Sequence, residues 1–277
     1  MTTDIEQKYI NMKRHLQSMG RLALAFSGGT DSAFLLKAAT ETLAADDILA
    51  LTARSPLFPA WETREAEELA AQLGVNHLLV DFDVLAIPGV ADNPPDRCYH
   101  CKYNIFQKLL HLAEARGFSI LTDGANLDDL SDYRPGSRAA ADLGVVSPIR
   151  EAGLTKAEVR HLSREKNLPT WDKPAFACLA SRVPYGQSIT LEKLAMVEKA
   201  EQYLRGLGFR EIRVRHHGDV ARLEVGRGER RRFFDENLLD EIQQRLAAFG
   251  FTFVALDLAG YRTGSLNAVL NTDCGEK

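Results

Sequence analysis

Short apolar runs and helical patterns alternate along residues 21–150. The predicted strands are 21–26, 48–53, 77–82 and 119–123, and the predicted helices between them are 31–44, 62–73 and 102–115. A chain that alternates strands with helices in this way forms crossover connections, which place the strands parallel in one sheet. The pattern therefore predicts an α/β fold, with a parallel sheet and helices on both of its faces.

The pattern changes in the last third of the chain. A predicted helix at 155–166 is followed by residues 168–186, which contain three prolines and no clear period, so we predict a long functional loop there. Beyond this loop the predicted elements are helices at 191–207 and 233–248 and strands at 211–215, 220–225 and 252–258. We therefore expect a first domain at residues 1–186 and a small α+β domain at residues 187–277, which we assign to substrate binding and oligomerisation.

Composition and charge narrow the class of protein. The 277 residues are 45% hydrophobic and 26% charged, which is typical of a globular chain. No run approaches the roughly 18 consecutive apolar residues of a membrane span, and the polar N-terminal segment does not resemble a secretion signal. A net charge of −4 does not favour binding to nucleic acid through its phosphates. We expect a cytoplasmic homo-oligomer that binds neither membranes nor nucleic acid.

A glycine-rich segment, SGGTDS, joins the first predicted strand to the first predicted helix. Gly28 and Gly29 lack a Cβ, so the backbone can approach an anion closely, and the start of the helix presents unpaired N–H groups. Ser27 and Ser32 add hydroxyl donors, and Asp31, at a helix start expected to be exposed, is a candidate contact for Mg²⁺. A Walker A loop has a lysine after its second glycine, and this segment has none. It therefore predicts a cradle for a pyrophosphate that departs as a unit.

This loop resembles, in place and spelling, the motif of the PP-loop ATP-pyrophosphatases, which cleave ATP between its α- and β-phosphates. The resemblance implies an adenine nucleotide alpha hydrolase-like fold for the first domain, with ATP and Mg²⁺ as cofactors. Asp123 and Gly124 end the fourth predicted strand on the same sheet edge and resemble the segment that lines the nucleotide site in that family. An ordinary turn at this place could also contain Asp123 followed by Gly124.

Three cysteines need an explanation of their own. Cys98 and Cys101 form a Cys-x-x-Cys pair just before a predicted helix, and Cys178 lies in the long loop. The pair does not open the helix after the first strand, as a thioredoxin-like dithiol does. Structural zinc prefers four protein ligands, and His100 is the nearby candidate for the fourth, whereas three thiolates on an iron–sulfur cluster would leave one iron open. Three unlinked thiols are also compatible with the sequence, and Cys274 is read as an exposed thiol in the tail.

The segment FACLASRVPYG at 176–186 closely resembles one branch of the PP-loop family, the LarE-type sulfur transferases. The segments DYRPG at 132–136 and RVR at 213–215 match the same branch, and the resemblance extends over nearly the whole chain. It implies that a carboxylate of a nicotinate-derived pyridinium mononucleotide is adenylated and then receives sulfur, for the nickel-pincer cofactor of lactate racemase.

The same resemblance places Cys178, Ser181 and Arg182 in the catalytic segment. Some members have only the cysteine equivalent to Cys178 and give up its sulfur, which leaves dehydroalanine. This sequence departs from that pattern because it also has Cys98 and Cys101. It looks like the three-cysteine members, in which a [4Fe-4S] cluster carries an extra sulfide on its open iron, so the resemblance implies a recyclable sulfide carrier.

Arg213 and Arg215 alternate with apolar residues on one predicted strand, so both point to one face, about 7 Å apart. That spacing suits two guanidiniums that converge on one phosphate. The resemblance assigns them to the phosphate of the mononucleotide substrate, although a solvated strand face has the same pattern. Glu201, on the preceding helix, is the candidate for a partner that orients them.

Three other functions share some of these features. A tRNA thiolase would share the loop and a three-cysteine cluster, but the sequence has no dedicated basic RNA-binding domain. An ammonia-using amide or NAD synthetase would share the loop and give no role to the cysteines. A non-catalytic nucleotide-binding regulator would keep the loop and turn over no ATP in the presence of substrate.

Overall fold

The computed structural model describes residues 3–130, 135–174, 177–262 and 264–269. The chain divides into two compact units, Met1–Val90 with Pro95–Phe176, and Ala91–Pro94 with Ala177–Lys277. Residues 132–134, Phe176 and Cys274, which the sequence analysis singles out, lie outside the described residues. Within the described ranges, no helix has both the length and the apolar content that a bilayer crossing requires.

The first unit contains a parallel sheet connected by helices. Its strands β1 to β4 are Leu22–Ala25, Ile48–Arg54, Asn76–Asp81 and Leu121–Thr122. Its helices α1 to α7 are Asp4–Met19, Thr30–Thr40, Ala60–Gln72, Arg97–Glu114, Pro135–Asp142, Pro148–Glu151 and Lys156–Glu165. All pairings within the order β3-β2-β1-β4 are parallel. The predicted α/β class is confirmed.

The strand order makes the carboxyl end of β1 a topological switch point, where the order in which the strands are added to the sheet changes direction. β1 lies between β2 and β4, and the chain first builds the sheet through β2 and β3 on one side before it returns to β4 on the other. The sequence of β1, Leu-Ala-Leu-Ala, is almost entirely buried, as expected for a parallel strand that is covered on both faces. In open α/β sheets, the crevice at the carboxyl ends of such strands is where ligands bind.

The N-terminal helix α1 is not predicted by the hydrophobic pattern. Tyr9, Met12 and Leu16 of α1 are buried at the spacing of one helical face, and Thr3 and Glu6 form a capping box at its start. The apolar side chains are few and widely spaced, so the segment reads as polar although its single apolar stripe packs into the core of this unit.

Two further elements of the first unit differ from the prediction. Helix α4 begins at Arg97 rather than at residue 102, which places Cys98 and Cys101 inside its first two turns. The prolines at 94 and 95 disfavour helix before them, and Asp96 takes the N-cap position directly after them. Strand β4 is confined to Leu121–Thr122, which pairs with β1 and adds one isolated bridge from Thr122 to Val146.

In its described residues, the second unit has a small mixed sheet and two α-helices. Its elements are α8 Leu191–Gly206, β5 Ile212–His217, β6 Val220–Val225, α9 Glu236–Ala248 and β7 Phe253–Leu256. β6 pairs antiparallel with β5 and parallel with β7, so this unit has the α+β character predicted. Residues 177–186, which the sequence analysis assigns to the first domain, belong to this unit and contain a short 3-10 turn, Leu179–Arg182.

Candidate functional site

The glycine loop follows β1 directly, at the carboxyl edge of the first sheet. Gly28 has a φ of +69°, and a Cβ at this residue would lie 2.9 Å from the Cβ of Ala66 in α3. The position therefore needs glycine for both its backbone conformation and its close contact. Gly29 is the N-cap of α2 and makes no side-chain cap, so no capping side chain competes with an anion for the first N–H groups of the helix.

The two serine hydroxyls of the loop bond to each other and to the loop backbone. The Oγ atoms of Ser27 and Ser32 are 3.1 Å apart, and the backbone N–H of Gly29 donates to Ser27 Oγ at 3.3 Å. Ser32 Oγ also lies 3.2 Å from the carbonyl oxygen of Gly29, to which it donates. The structure therefore places both predicted hydroxyls in the loop and shows that they also shape it.

The end of β4 closely approaches the start of α2. A Cβ on Gly124 would lie 2.8 Å from the backbone nitrogen of Ser32, so a larger residue would push the two segments apart. The neighbouring carboxylate, Asp123, accepts hydrogen bonds at Oδ1 from Ser147 Oγ at 2.7 Å and from the backbone N–H of Ala125 at 3.1 Å. The two segments predicted to line the nucleotide site thus meet at the switch point of the sheet.

Asp31 is partly buried, with 23% of its side chain exposed, in contrast to the exposed helix start expected from the sequence. Helix α7 packs on α2 and brings Nζ of Lys156 to 2.6 Å from Oδ2 of Asp31. Burial raises the pKa of Asp31, and the charge and hydrogen bond of Lys156 act in the opposite direction. Oδ1 is buried and has no hydrogen-bond partner in the described part of the chain. One carboxylate oxygen is therefore held by a cation while the other remains available to a ligand.

Sequence reasoning missed two lysines that reach this loop. Lys156 bonds to Asp31 across a separation of 125 residues, and Nζ of Lys173 donates to the carbonyl oxygen of Gly28 at 3.0 Å across a separation of 145 residues. Neither lysine lies in a recognisable local motif, so the sequence carries no signal that would have found them.

Cys98 and Cys101 lie one turn apart on α4 and are therefore neighbours on its surface. Cys98 Sγ accepts a hydrogen bond from Nη2 of Arg97 at 3.7 Å, and Cys101 is buried. His100, the candidate for a fourth zinc ligand, has Nε2 at 3.2 Å from Oδ2 of Asp96. Across the described ranges, no group of three or more His, Cys, Asp or Glu side chains is arranged to hold a metal ion.

Cys178 lies in the second unit, at the start of the 3-10 turn, and Arg182 holds this turn in place. Nη1 of Arg182 donates to the carbonyl oxygens of Ala177 at 2.6 Å and Cys178 at 3.1 Å, and to Oγ of Ser181 at 2.8 Å. Its Nε and Nη2 bind both carboxylate oxygens of Glu201, at 2.8 and 2.9 Å. The backbone on either side of the cysteine is thereby fixed by one buried guanidinium.

Glu201 has a different partner from the one expected. The sequence predicts that it orients Arg213 and Arg215, whereas its carboxylate binds Arg182 and also accepts the backbone N–H of Val214 at 2.9 Å. The reason is that α8 packs against β5, so a side chain of α8 reaches the backbone of the strand and the guanidinium beside it.

The arginine strand is not a solvated face, because Arg213 and Arg215 are only 3% and 6% exposed. Arg215 donates to the carbonyl oxygen of Ser181 at 2.6 Å, to Glu224 Oε2 at 2.8 Å and to Ser265 Oγ at 2.7 Å. Its guanidinium thus contacts the turn that carries Cys178 and a carboxylate of β6.

Arg213 lies beside an aromatic ring and near a second guanidinium. Its guanidinium carbon lies 4.9 Å from the ring centre of Tyr261. Burial, followed by the positive charge of Arg182, lowers the pKa of Arg213 to about 10. Within the described residues, the guanidiniums of Arg182, Arg213 and Arg215 share this interior with the carboxylates of Glu201 and Glu224.

A lysine-free glycine loop at the switch point of a parallel sheet is the arrangement of the PP-loop class of ATP-using enzymes. No family model matches the chain. It is 38% identical over 255 residues to pyridinium-3,5-bisthiocarboxylic acid mononucleotide synthase of Lactiplantibacillus plantarum, and the match covers 92% of each chain. The chain belongs to this LarE-type family of PP-loop enzymes.

Two other relatives match different lengths of the chain. An uncharacterised protein of Synechocystis sp. is 42% identical over 266 residues, which cover 96% of this chain and 99% of the relative. Argininosuccinate synthase of Haloarcula marismortui is 32% identical over 160 residues, which cover 54% of this chain and 38% of the relative. The similarity to the Lactiplantibacillus plantarum synthase thus spans nearly the whole chain, and the similarity to argininosuccinate synthase supports the PP-loop class.

Proposed function

We propose that this enzyme uses ATP and Mg²⁺ to adenylate a carboxylate of a nicotinate-derived pyridinium mononucleotide and then replaces the activated oxygen with sulfur. The product would serve the nickel-pincer cofactor of lactate racemase. The observation that carries the proposal is the glycine loop, whose Gly28 and Gly29 leave the start of α2 open to a pyrophosphate. The identity to the Lactiplantibacillus plantarum synthase supports the choice of substrate.

The first unit carries the ATP step in this proposal. The N–H groups at the start of α2, with Ser27 and Ser32, bind the phosphates, and Asp123 and Gly124 line the nucleotide site. Asp31 offers its unpartnered Oδ1 to Mg²⁺. A carboxylate oxygen of the substrate bonds to the α-phosphorus, the bond from this phosphorus to the bridging oxygen breaks, and the electron pair leaves with pyrophosphate.

The second unit carries the sulfur and substrate groups. Cys178 is the residue that presents sulfur, and Arg182, Ser181 and Glu201 hold the turn in which it lies. Arg213 and Arg215 provide the positive interior that we assign to the phosphate of the mononucleotide. Because both guanidiniums are already buried, a dianionic phosphate would gain from them without the full cost of ordering two long side chains.

The proposal includes a [4Fe-4S] cluster on Cys98, Cys101 and Cys178. All three are free thiols, their donor type suits such a cluster, and the first two are adjacent on α4. The hydrogen bond from Arg97 to Cys98 Sγ is of the kind that tunes cluster sulfurs. When bound, the cluster would supply an open iron on which an exchangeable sulfide can reside.

We further propose that the enzyme is a homo-oligomer that acts on a small molecule. Three apolar side chains of the second unit, Phe234, Phe253 and Leu258, are strongly exposed in the single chain, and Phe253 belongs to the outer strand β7. Contact with a second copy would remove them from water. Light scattering of the purified protein tests this, and a monomer at micromolar concentration would contradict it.

Product analysis with α- and γ-labelled ATP tests the activity. With the pyridinium mononucleotide, we expect AMP and pyrophosphate in equal amounts, and ADP as the main product would contradict the proposal. Asp31→Ala should abolish this turnover. Turnover that requires tRNA, or that yields an amide from ammonia, would identify a thiolase or an amide synthetase instead. Binding of ATP without any turnover in the presence of substrate would identify a regulator.

A further inference from the structure

Lys173 places an ammonium group at the glycine loop of the first unit. Its Nζ donates to the carbonyl oxygen of Gly28 at 3.0 Å and lies 2.8 Å from Oε2 of Glu65. The loop itself contains no lysine, although a Walker A loop uses one to reach the β- and γ-phosphates. Tertiary structure thus brings to this loop the kind of charge that its own sequence omits.

Helix α3 holds the ammonium group in this position. Glu65 and Trp61 are four residues apart and face the same side of the helix, and the centre of the Trp61 ring is 5.4 Å from Nζ. The same helix provides Ala66, which contacts Gly28 closely. The lysine side chain is 12% exposed. Its charge is therefore positioned before any anion arrives.

The bonding capacity of Lys173 leaves room for a phosphate. An ammonium has three N–H donors, and the Gly28 carbonyl and the Glu65 carboxylate account for two of them within the described residues. Glu65 is about half exposed, so its attraction to the lysine is weakened by water. A multiply charged phosphate can therefore accept a hydrogen bond from the third N–H and compete with Glu65 for the second one.

We infer that Lys173 is the cation that binds the departing pyrophosphate. The inference rests on the adenylation proposed above and names a further residue for that step. As the bond between the α-phosphorus and the bridging oxygen breaks, negative charge develops on the pyrophosphate. Lys173 donates hydrogen bonds to this charge and transfers no proton.

Lys156 has a different task. Its Nζ is engaged with Oδ2 of Asp31 at 2.6 Å, so its charge serves the carboxylate that we assign to Mg²⁺. Loss of Lys156 should therefore alter the binding of magnesium, whereas loss of Lys173 should weaken the binding of pyrophosphate with the magnesium requirement unchanged.

Calorimetric titration with magnesium pyrophosphate and, separately, with AMP tests the inference. Lys173→Met should weaken pyrophosphate binding about tenfold or more, because a charge-assisted hydrogen bond is lost, and should leave AMP binding within about twofold. Lys173→Arg should recover most of the pyrophosphate affinity. The matched control is Lys108→Met, whose Nζ bonds to the carbonyl oxygen of Asp81, and it should change neither affinity.

Two results would overturn the inference. One is pyrophosphate affinity within about twofold of wild type in Lys173→Met, and the other is an equal loss for AMP, which would place the lysine elsewhere. If Lys173→Met does not fold, the same comparison is made with Lys173→Gln. Since these titrations contain no carboxylate substrate, they remain valid if wild-type enzyme forms ADP, a result that would contradict the proposed function alone.

Discussion

Arg182 and Glu201 form a two-pronged ion pair inside the second unit. Nε to Oε1 measures 2.8 Å and Nη2 to Oε2 measures 2.9 Å, and the two side chains are 1% and 9% exposed. The remaining nitrogen of the guanidinium bonds to the carbonyl oxygen of Cys178. The pair therefore couples the packing of α8 to the position of the cysteine that we assign to sulfur transfer.

Arg182→Met should strongly destabilise the protein and loosen the turn at Cys178. Removal of one partner leaves the carboxylate of Glu201 buried and uncompensated, which costs about 3–5 kcal/mol. We expect a loss of that size in urea unfolding and faster alkylation of Cys178 by iodoacetamide, followed by mass spectrometry. Alkylation at the wild-type rate in the folded variant would show that the arginine does not position the cysteine.

A matched control for that experiment is the exposed pair of Arg54 and Asp81. It has the same two-pronged geometry, at 2.6 and 2.8 Å, but its side chains are 53% and 71% exposed. Because exposed ion pairs contribute little, Arg54→Met should lower the free energy of unfolding far less than Arg182→Met does. Equal losses in the two variants would mean that burial of the Arg182 pair is not what determines its contribution.

Arg213→Ala and Arg215→Ala should weaken binding of the phosphorylated substrate about tenfold or more, because each removes a charge-assisted hydrogen bond. Binding of ATP should change much less. Arg215→Ala should also lower stability, since it leaves Glu224 with one cationic partner fewer. Equilibrium titrations with both ligands and urea unfolding measure these effects. An equal loss of ATP affinity would show that the arginines do not act specifically on the phosphate of the mononucleotide.

The bond between Tyr9 and Glu41 should make stability depend on pH. Tyr9 Oη donates to Glu41 Oε2 at 2.7 Å, and Lys166 is 3.2 Å from the same oxygen. Burial alone would raise the pKa of Glu41, but these hydrogen bonds lower it below its ordinary value of 4.5. A lowered carboxyl pKa stabilises the fold above pH 4.5, and this contribution is lost as the pH falls through the folded-state pKa.

Glu41→Gln should therefore be less stable than wild type by about 1–2 kcal/mol near pH 7, with the difference shrinking below the ordinary glutamate pKa. Thermal and urea unfolding at several pH values measure this. Glu165→Gln is the control, because its side chain is 57% exposed and pairs only with a neighbouring histidine among the described residues. A difference that grows towards acid would contradict the assigned direction of the pKa.

Anaerobic purification distinguishes a cluster from a sacrificial cysteine. If Cys98, Cys101 and Cys178 hold one [4Fe-4S] cluster, replacement of any one by serine should remove most of the iron, the acid-labile sulfide and the visible absorbance, together with repeated turnover. The opposite outcome is that Cys98→Ser and Cys101→Ser keep full activity while Cys178 loses its sulfur after one turnover. In that case the cluster hypothesis is wrong and the sacrificial mechanism holds. Mass spectrometry of Cys178 after turnover measures the loss of its sulfur directly.

Local pattern identified much of the first unit and missed particular parts of it. The apolar run of β1 predicts the strand, because a strand that is buried on both faces needs apolar residues throughout. The two glycines after it predict the loop, because close approach of the backbone to an anion requires residues without a Cβ. Helix α1 was missed because only Tyr9, Met12 and Leu16 mark its buried stripe. Helix α4 was placed too late because the prolines before Asp96 read as loop, although a helix can begin directly after them.

The sequence by itself determined the class, the loop and the residue types of the site, since glycine, cysteine and arginine are recognisable wherever backbone freedom, soft ligands or fixed charge are needed. Only the tertiary structure decided which charges meet. Lys156 reaches Asp31, Lys173 reaches Gly28, and Glu201 bonds to the side chain of Arg182 and to the backbone of β5 rather than to the guanidiniums of Arg213 and Arg215. Each of these partners is set by how helices pack on a sheet, and electrostatic contacts of that kind have no period or spacing along the chain.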